Sequence, residues 1–87
     1  MYQPNEIEQL AIQARLNMML GAQVYDKWFV NFECAGVRGG IAEVFVSGEC
    51  KAKNIGIQYG LHVAIAVETV LKKAVKSVSV SARSTPR

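Results

Sequence analysis

The first strongly patterned stretch of the chain predicts an amphipathic helix over residues 6–20. Asn5 precedes it with a side chain suited to capping a helix, and Gly21 follows it as a helix-ending residue. The apolar residues recur at helical spacing, but they form two stripes on different sides of the helix. One stripe contains Ile7, Leu10, Ala11, Ala14 and Met18, and the other contains Ile12, Leu16, Met19 and Leu20. A surface helix buries only one such stripe, so one of the two is surplus.

A short second helix is predicted over residues 21–29. Val24 and Trp28 lie four positions apart within it, which places both side chains on one helix face. The pattern changes after this segment, because aromatic and β-branched residues become frequent and favour strands.

A β-hairpin is predicted next, with strands at residues 30–36 and 41–47. The stretch 37–40 between them contains Gly39 and Gly40 and predicts the turn. The second strand alternates, so that Ala42, Val44 and Val46 share one face while Glu43 and Phe45 share the other. An outward Phe45 is a candidate contact residue.

A long helix is predicted over residues 50–73, which contain no proline and have a helical period. Its expected core face consists of Ala52, Tyr59, Val63, Ala66, Val67 and Val70, and a second, narrower stripe consists of Ile57, Leu61, Ala64 and Ile65. Gly56 and Gly60 each weaken a helix by about 1 kcal/mol relative to alanine. Their presence therefore predicts close packing of this helix against another backbone.

Strict alternation at residues 77–82 predicts a third strand, with Val78, Val80 and Ala82 facing inward. The element order is then α-α-β-β-α-β, an α+β domain with the helices packed on one face of a three-stranded sheet. We expect a single domain over residues 5–83, with a flexible N-terminus at 1–4 and a flexible tail at 84–87.

Composition agrees with a folded domain, since 51% of the 87 residues are hydrophobic and 20% are charged. No apolar run is long enough to span a membrane, and the first eight residues do not resemble a secretory signal. We therefore expect a cytoplasmic protein without membrane contact. Cys34, Cys50 and the single histidine, His62, match no zinc-ligand or redox spacing, which predicts reduced thiols, no metal and no cofactor.

A catalytic arrangement is also missing from the pattern. His62 falls on the long helix near polar residues and has no nucleophile motif to serve. Glu33 and Glu43 are potential neighbours on the hairpin, but exposed carboxylates on strands usually keep an edge soluble. We expect no enzyme and no small-molecule substrate.

The net charge of +3 introduces nucleic acid as a possible partner. The candidate phosphate contacts are Lys51, Lys72, Lys73, Lys76 and Arg83. The stretch from Gly36 to Gly39 also has the Gly-x-x-Gly spacing with which KH domains clamp a nucleic-acid backbone. The alternatives are a solvated basic surface and glycines that serve only a tight turn.

The surplus apolar stripes point to protein interaction, because contiguous apolar patches are rare on the surface of monomers. The candidate self-association residues are Leu10, Ala14 and Met18 on the first helix and Ile57, Leu61 and Ile65 on the long helix. The alternative is that the first helix is sandwiched between the sheet and the tail.

Several of these residues together resemble a known family. They are Ala14-Arg15-Leu16, Leu20, Tyr25, Trp28-Phe29, Phe32, the strand from Ala42 to Val46, and a long helix with Tyr59 and Val63. Their order and spacing resemble the N-terminal domain, domain I, of the bacterial chromosomal replication initiator DnaA. The resemblance runs from about Asn5 to Arg83. It implies a KH-like module without enzymatic activity of its own.

The resemblance also implies partners. That family self-associates through its first helix, docks the replicative helicase, receives regulatory proteins and binds single-stranded DNA weakly. The family's three contact positions fall here at Gln9, Val24 and Cys50, and all three residues have changed. We expect a homo-oligomer that contacts replication partners, with single-stranded nucleic acid binding as the alternative. The candidate partner-binding residues are Val24, Tyr25, Phe45, Cys50 and Lys53.

Overall fold

The computed structural model describes residues 1–83, so the tail predicted at 84–87 lies outside the described residues. The elements are α1 (Glu6–Leu20), α2 (Ala22–Trp28), β1 (Glu33–Arg38), β2 (Ile41–Val46), α3 (Glu49–Asn54), a π-helical segment (Ile55–Tyr59), α4 (Gly60–Leu71) and β3 (Ser77–Ala82). The strands form one sheet in the order β1-β2-β3. This is the predicted α+β order, and the predicted packing of the helices on one sheet face is confirmed.

The bounds of α1 are those predicted, because strong local signals define both ends. The Asn5 side chain accepts a hydrogen bond from the backbone N–H of Glu8 at 2.8 Å. The Glu8 carboxylate accepts one from the backbone N–H of Asn5 at 2.9 Å, which completes a capping box. The Asn5 N–H is the main reason that the pKa of Glu8 is lowered, and the hydroxyl of Tyr2 adds to the effect. Gly21 ends the helix with a φ of 88°.

The first strand of the hairpin lies later in the chain than predicted, while β2 begins at the predicted residue, Ile41. The first strand begins at Glu33 instead of residue 30, because Asn31 adopts a φ of 57° and interrupts the extended backbone. The turn consists only of Gly39 and Gly40, with φ values of 58° and 82°, as a two-residue hairpin turn of type I′ requires. These glycines serve the turn, in agreement with the alternative to a phosphate clamp.

Gly36 serves a different purpose, at a bulge in β1. The register between β1 and β2 shifts between Cys34 and Gly36. A Cβ atom at Gly36 would lie 2.5 Å from the backbone oxygen of Tyr2. Tyr2 exchanges two backbone hydrogen bonds with Val37 at this point, which gives the N-terminal segment a defined partner that the sequence pattern did not indicate.

The sheet is mixed, since β1 and β2 are antiparallel while β2 and β3 are parallel. The long helical stretch connects the two parallel strands, as parallel pairing requires a crossover. Ala42, Val44 and Val46 of β2 are fully buried against the helices. They join Ile12 and Leu16 of α1 in the core, together with Phe29, Phe32, Cys34, Ile55, Val63, Ala66 and Val67.

The long helix is confirmed in position but not in regularity. It ends at Leu71, and the π-helical segment Ile55–Tyr59 interrupts its α-helical hydrogen bonding. Its predicted core face is buried or half-buried, whereas Ala64, assigned to the second stripe, is also buried. The prediction that Gly56 and Gly60 pack against another backbone is wrong within this fold. A Cβ atom at Gly60 would meet nothing within 4 Å, and one at Gly56 would meet only a methyl group of Val80 at 4.0 Å.

None of the helices in residues 1–83 combines the length and the apolar character needed to cross a bilayer.

Candidate interaction surfaces

An apolar stripe on the outer side of α1 is exposed to solvent. Ile7, Leu10 and Met18 have 77%, 60% and 72% of their surface exposed, and Ala14 between them is exposed too. We call Ile7, Leu10, Ala14 and Met18 the α1 stripe. The opposite side of the helix supplies the fully buried Ile12 and Leu16. Within residues 1–83 nothing covers the α1 stripe, so the sandwiched arrangement is not observed there.

A second apolar stripe lies on the long helix. Ile57, Leu61 and Ile65 are 74%, 72% and 46% exposed, and we call them the long-helix stripe. The core side of α4 is buried through Val63 and Val67. The two helices therefore each bury one apolar face and leave another in solvent. All six predicted self-association residues are exposed.

A groove of about 910 Å³ lies between α1, α2 and the near ends of β1 and β2. We call it the α1–α2 groove. Leu10 of the α1 stripe forms part of its wall, and the Tyr25 ring stacks on Phe29 with their centroids 5.5 Å apart. Burial raises the pKa of the Tyr25 hydroxyl, and the neighbouring Asp26 raises it further. Of the predicted partner-binding residues, Tyr25 is the one that lines this groove.

Two glutamines of α1 cover the outer edge of β1, of which Gln9 was named only as a changed contact position of the resembled family and Gln13 was not predicted at all. The side-chain amide of Gln9 donates to the backbone oxygen of Cys34 at 2.5 Å and accepts from the Cys34 N–H at 3.0 Å. Gln13 donates to the backbone oxygen of Phe32 at 3.1 Å. The only sequence signal was their spacing of four residues on one helix face. This edge is thus closed to strand pairing.

Phe45 lies on the sheet face opposite the helices, as predicted, but it is half-buried. The guanidinium carbon of Arg83 lies 4.4 Å from the centroid of its ring, and Arg83 also forms an ion pair with Glu33. Arg83 therefore bridges β1 and the end of β3 across Phe45.

The remaining predicted partner residues lie on two different helices. Val24 is half-buried on α2, which packs against α1. Cys50 and Lys53 are exposed on α3, which packs against β3 and the end of the sheet. The five predicted partner residues thus fall on three parts of the fold, α2, α3 and the open sheet face, and of the five only Tyr25 lines the α1–α2 groove.

The predicted nucleic-acid residues are spread over the molecule. Arg83 is engaged with Glu33 and Phe45, and the Lys73 ammonium group lies 4.7 Å from the centroid of the Tyr2 ring. The side chain of Lys76 packs over the turn at Gly40, while Lys51 and Lys72 lie at opposite ends of the long helical stretch. No continuous basic groove is built from these five side chains.

The side chains considered as catalytic or metal-binding candidates lie apart from one another. In the register of the hairpin Glu33 pairs with Phe45 and Glu43 pairs with Gly36, so the two carboxylates are not opposite each other. Burial raises the pKa of the Cys34 thiol to about 11, while Cys50 is exposed on α3. Residues 1–83 contain no cluster of three or more histidine, cysteine or acidic side chains that could hold a metal ion.

In the comparison with known proteins, neither a protein-family model nor a curated protein matches the chain.

Proposed function

We propose that this chain is a protein-interaction module that self-associates through the α1 stripe. The supporting observation is that Ile7, Leu10 and Met18 are more than half exposed on one side of a helix whose other side is fully buried in the core. Large side chains that lie contiguously in water mark interaction sites, because their burial by a partner is favourable. A stripe on one helix suits a two-fold contact in which the same residues serve both copies.

Gln9 supports the choice of the α1 stripe over the family's own contact position. In the resembled family an aromatic residue at this position mediates self-association, but Gln9 here is committed to the backbone of Cys34. The neighbouring Leu10 points into solvent and is free to meet a second copy. Self-association of this chain therefore uses a face rotated from that of the family.

The biological setting that we propose is the initiation of DNA replication in the cytoplasm, with the replicative helicase or a regulatory protein as partner. This part rests on the resemblance to domain I of the initiator. The α1–α2 groove is the surface that we assign to such a partner, because Tyr25 gives it aromatic contact area while Glu6 and Asp26 place carboxylates in its lining.

The self-association proposal is tested by measuring mass in solution by light scattering over a range of concentrations. Leu10→Glu should shift the chain to monomer, since it places a charge in the centre of the α1 stripe. Leu61→Glu examines the long-helix stripe in the same way. Gln23→Glu, at an exposed polar position of α2 and outside both stripes, is the matched control and should behave as the unmodified chain. Self-association would be refuted if the unmodified chain has the mass of a monomer at every concentration and neither Leu10→Glu nor Leu61→Glu changes that mass.

A further inference from the structure

The two edges of the sheet differ, since the edge at β1 is covered and the edge at β3 is open. The outer edge of β1 is covered by Tyr2, Gln9 and Gln13. On β3, Ser77 and Arg83 donate backbone hydrogen bonds to Gly40 and Val46 on the β2 side. Since backbone groups alternate in direction along a strand, the N–H and C=O groups of Val78, Val80 and Ala82 point away from β2. Within residues 1–83 no other hydrogen bond reaches them.

This open edge lacks the features that normally prevent strand pairing. Proline, bulges and inward-pointing charges protect natural edges, and Ser77–Ala82 has none of them. Its serines are exposed on the open sheet face, while Val78, Val80 and Ala82 are half-buried toward the helices. The strand is thus a regular six-residue template for another extended segment.

A groove of about 380 Å³ lies beside the beginning of this edge, between the long helix and the residues Lys76, Ser77 and Val78. Gly56, Gly60 and Ala64 form its helical side, and Leu61 of the long-helix stripe stands at its rim. The glycines leave space that the chain itself does not fill, as the empty surroundings of a Cβ at Gly60 show. The π-helical segment also lies here, and such segments are frequent at functional sites.

We propose that the groove between β3 and the long helix binds an extended segment of a partner protein, which adds to the sheet as a fourth strand beside β3. The backbone groups of Val78, Val80 and Ala82 supply its hydrogen bonds, and Gly56 and Gly60 allow its backbone to approach the helix.

The charge of the groove specifies the chemistry of that segment. Among residues 1–83, Lys76 is the one charged residue that lines the groove, and no carboxylate of these residues lines it. The partner strand should thus carry an acidic residue at the end that meets Lys76 and small or apolar residues at the alternate positions that face Leu61. A second copy of β3 fits poorly, because antiparallel pairing centred on Val80 would bring Lys76 of one copy close to Arg83 of the other.

The test uses a synthetic peptide with a core of alternating valine and threonine and two glutamates at each end. Added to the unmodified chain, it should shift the amide resonances of Val78, Val80 and Ala82 and protect these amides from hydrogen exchange. The same core with terminal lysines should bind more weakly, because Lys76 repels it. Lys76→Glu should reverse the preference between the two peptides.

Gly60→Leu separates binding from folding. The side chain enters open space in the free chain and replaces a glycine within a helix, so the melting temperature should stay the same or rise. Peptide affinity should fall by about tenfold or more, since the leucine occupies the path of the added strand. Thr69→Leu, at an exposed position on the opposite side of α4, is the matched control and should bind as the unmodified chain.

Four results would overturn this proposal. Unperturbed β3 amides at saturating peptide, or equal peptide affinity of the unmodified chain and Gly60→Leu, would rule out strand addition. Stronger binding of oligothymidine at the same amides, with a steep dependence on salt, would assign the groove to nucleic acid. A dimer that Gly60→Leu abolishes without peptide would assign it to a second copy. Self-association through the α1 stripe is tested separately by the mass in solution of Leu10→Glu. The strand-addition proposal and the self-association proposal can therefore fail independently.

Discussion

At the scale of single residues, Gln9 illustrates how one side chain decides which surfaces remain available. Its amide satisfies both backbone groups of Cys34 at the edge of β1. A free edge of this kind invites pairing with another chain. Gln9 therefore closes β1, and the sheet is left with one pairing edge, at β3.

Gln9→Leu should destabilise the fold, because it keeps the size of the side chain but leaves the Cys34 N–H and C=O without their partner. We expect a loss of about 1–3 kcal/mol in the free energy of unfolding, the usual cost of unsatisfied buried polar groups. Urea unfolding followed by circular dichroism measures this. Gln23→Leu, at an exposed position of α2, is the control and should change stability little. Equal stability of the two variants would show that the Gln9 bonds do not hold the edge.

At the scale of elements, the long helix ends in an unusual way. Lys72 occupies the C-cap with φ 57° and ψ 37°, the left-handed conformation that glycine normally provides, and its N–H donates to the Glu68 oxygen at 2.8 Å. A side chain with a Cβ atom is strained in this conformation. The end of the helix therefore keeps a lysine at a cost in stability.

Lys72→Gly should raise the free energy of unfolding by about 0.5–1 kcal/mol, because glycine adopts the left-handed conformation without strain. The midpoint of urea unfolding should move to higher concentration with an unchanged slope. Ala74→Gly, two residues further on and outside the left-handed region, is the control and should not stabilise. A decrease in stability for Lys72→Gly would mean that the lysine side chain contributes more than its strained backbone costs.

At the scale of the whole molecule, two helices cover one sheet face with one stripe each and present another stripe to solvent. Exposed apolar area of this extent on 83 described residues is uncommon for a monomer in water and supports the proposed self-association. Association that covers the α1 stripe would then stabilise the folded chain as a bound ligand does.

The melting temperature should consequently rise with protein concentration, by a few degrees over a roughly hundredfold range, because mass action favours the associated folded state. Leu10→Glu should abolish this dependence while leaving the core intact, since Leu10 does not contribute to the buried cluster. Differential scanning calorimetry at several concentrations provides the measurement. A melting temperature independent of concentration in the unmodified chain would count against the oligomer.

The sequence predicted most elements and their faces because these depend on local relations. The capping residues Asn5 and Gly21 defined α1, and the alternation of Ser77–Ala82 defined β3. The first strand was displaced because the left-handed backbone of Asn31 has no clear pattern signature. The π-helical segment was not predicted, because the helical period of apolar residues continues through it.

The candidate sites divide in the same manner. Periodicity alone identified the α1 and long-helix stripes, because residues three and four apart share a helix face whatever the fold. Which stripe of α1 enters the core was decided only by packing against α2 and α4. The partner residues Val24, Tyr25 and Cys50 were chosen by resemblance, and the structure places only Tyr25 in a groove.

The sequence by itself determined the order of the elements, the two-sided apolar character of both long helices and the alternation of the strands. The tertiary structure alone decided that Gln9 meets Cys34, 25 residues away, and that Arg83 meets Glu33, 50 residues away. It also decided that β3 joins β2 in parallel and leaves its outer edge unpaired beside Gly56 and Gly60. Local propensity acts over a few neighbouring residues, whereas these contacts depend on how whole elements pack around a shared core.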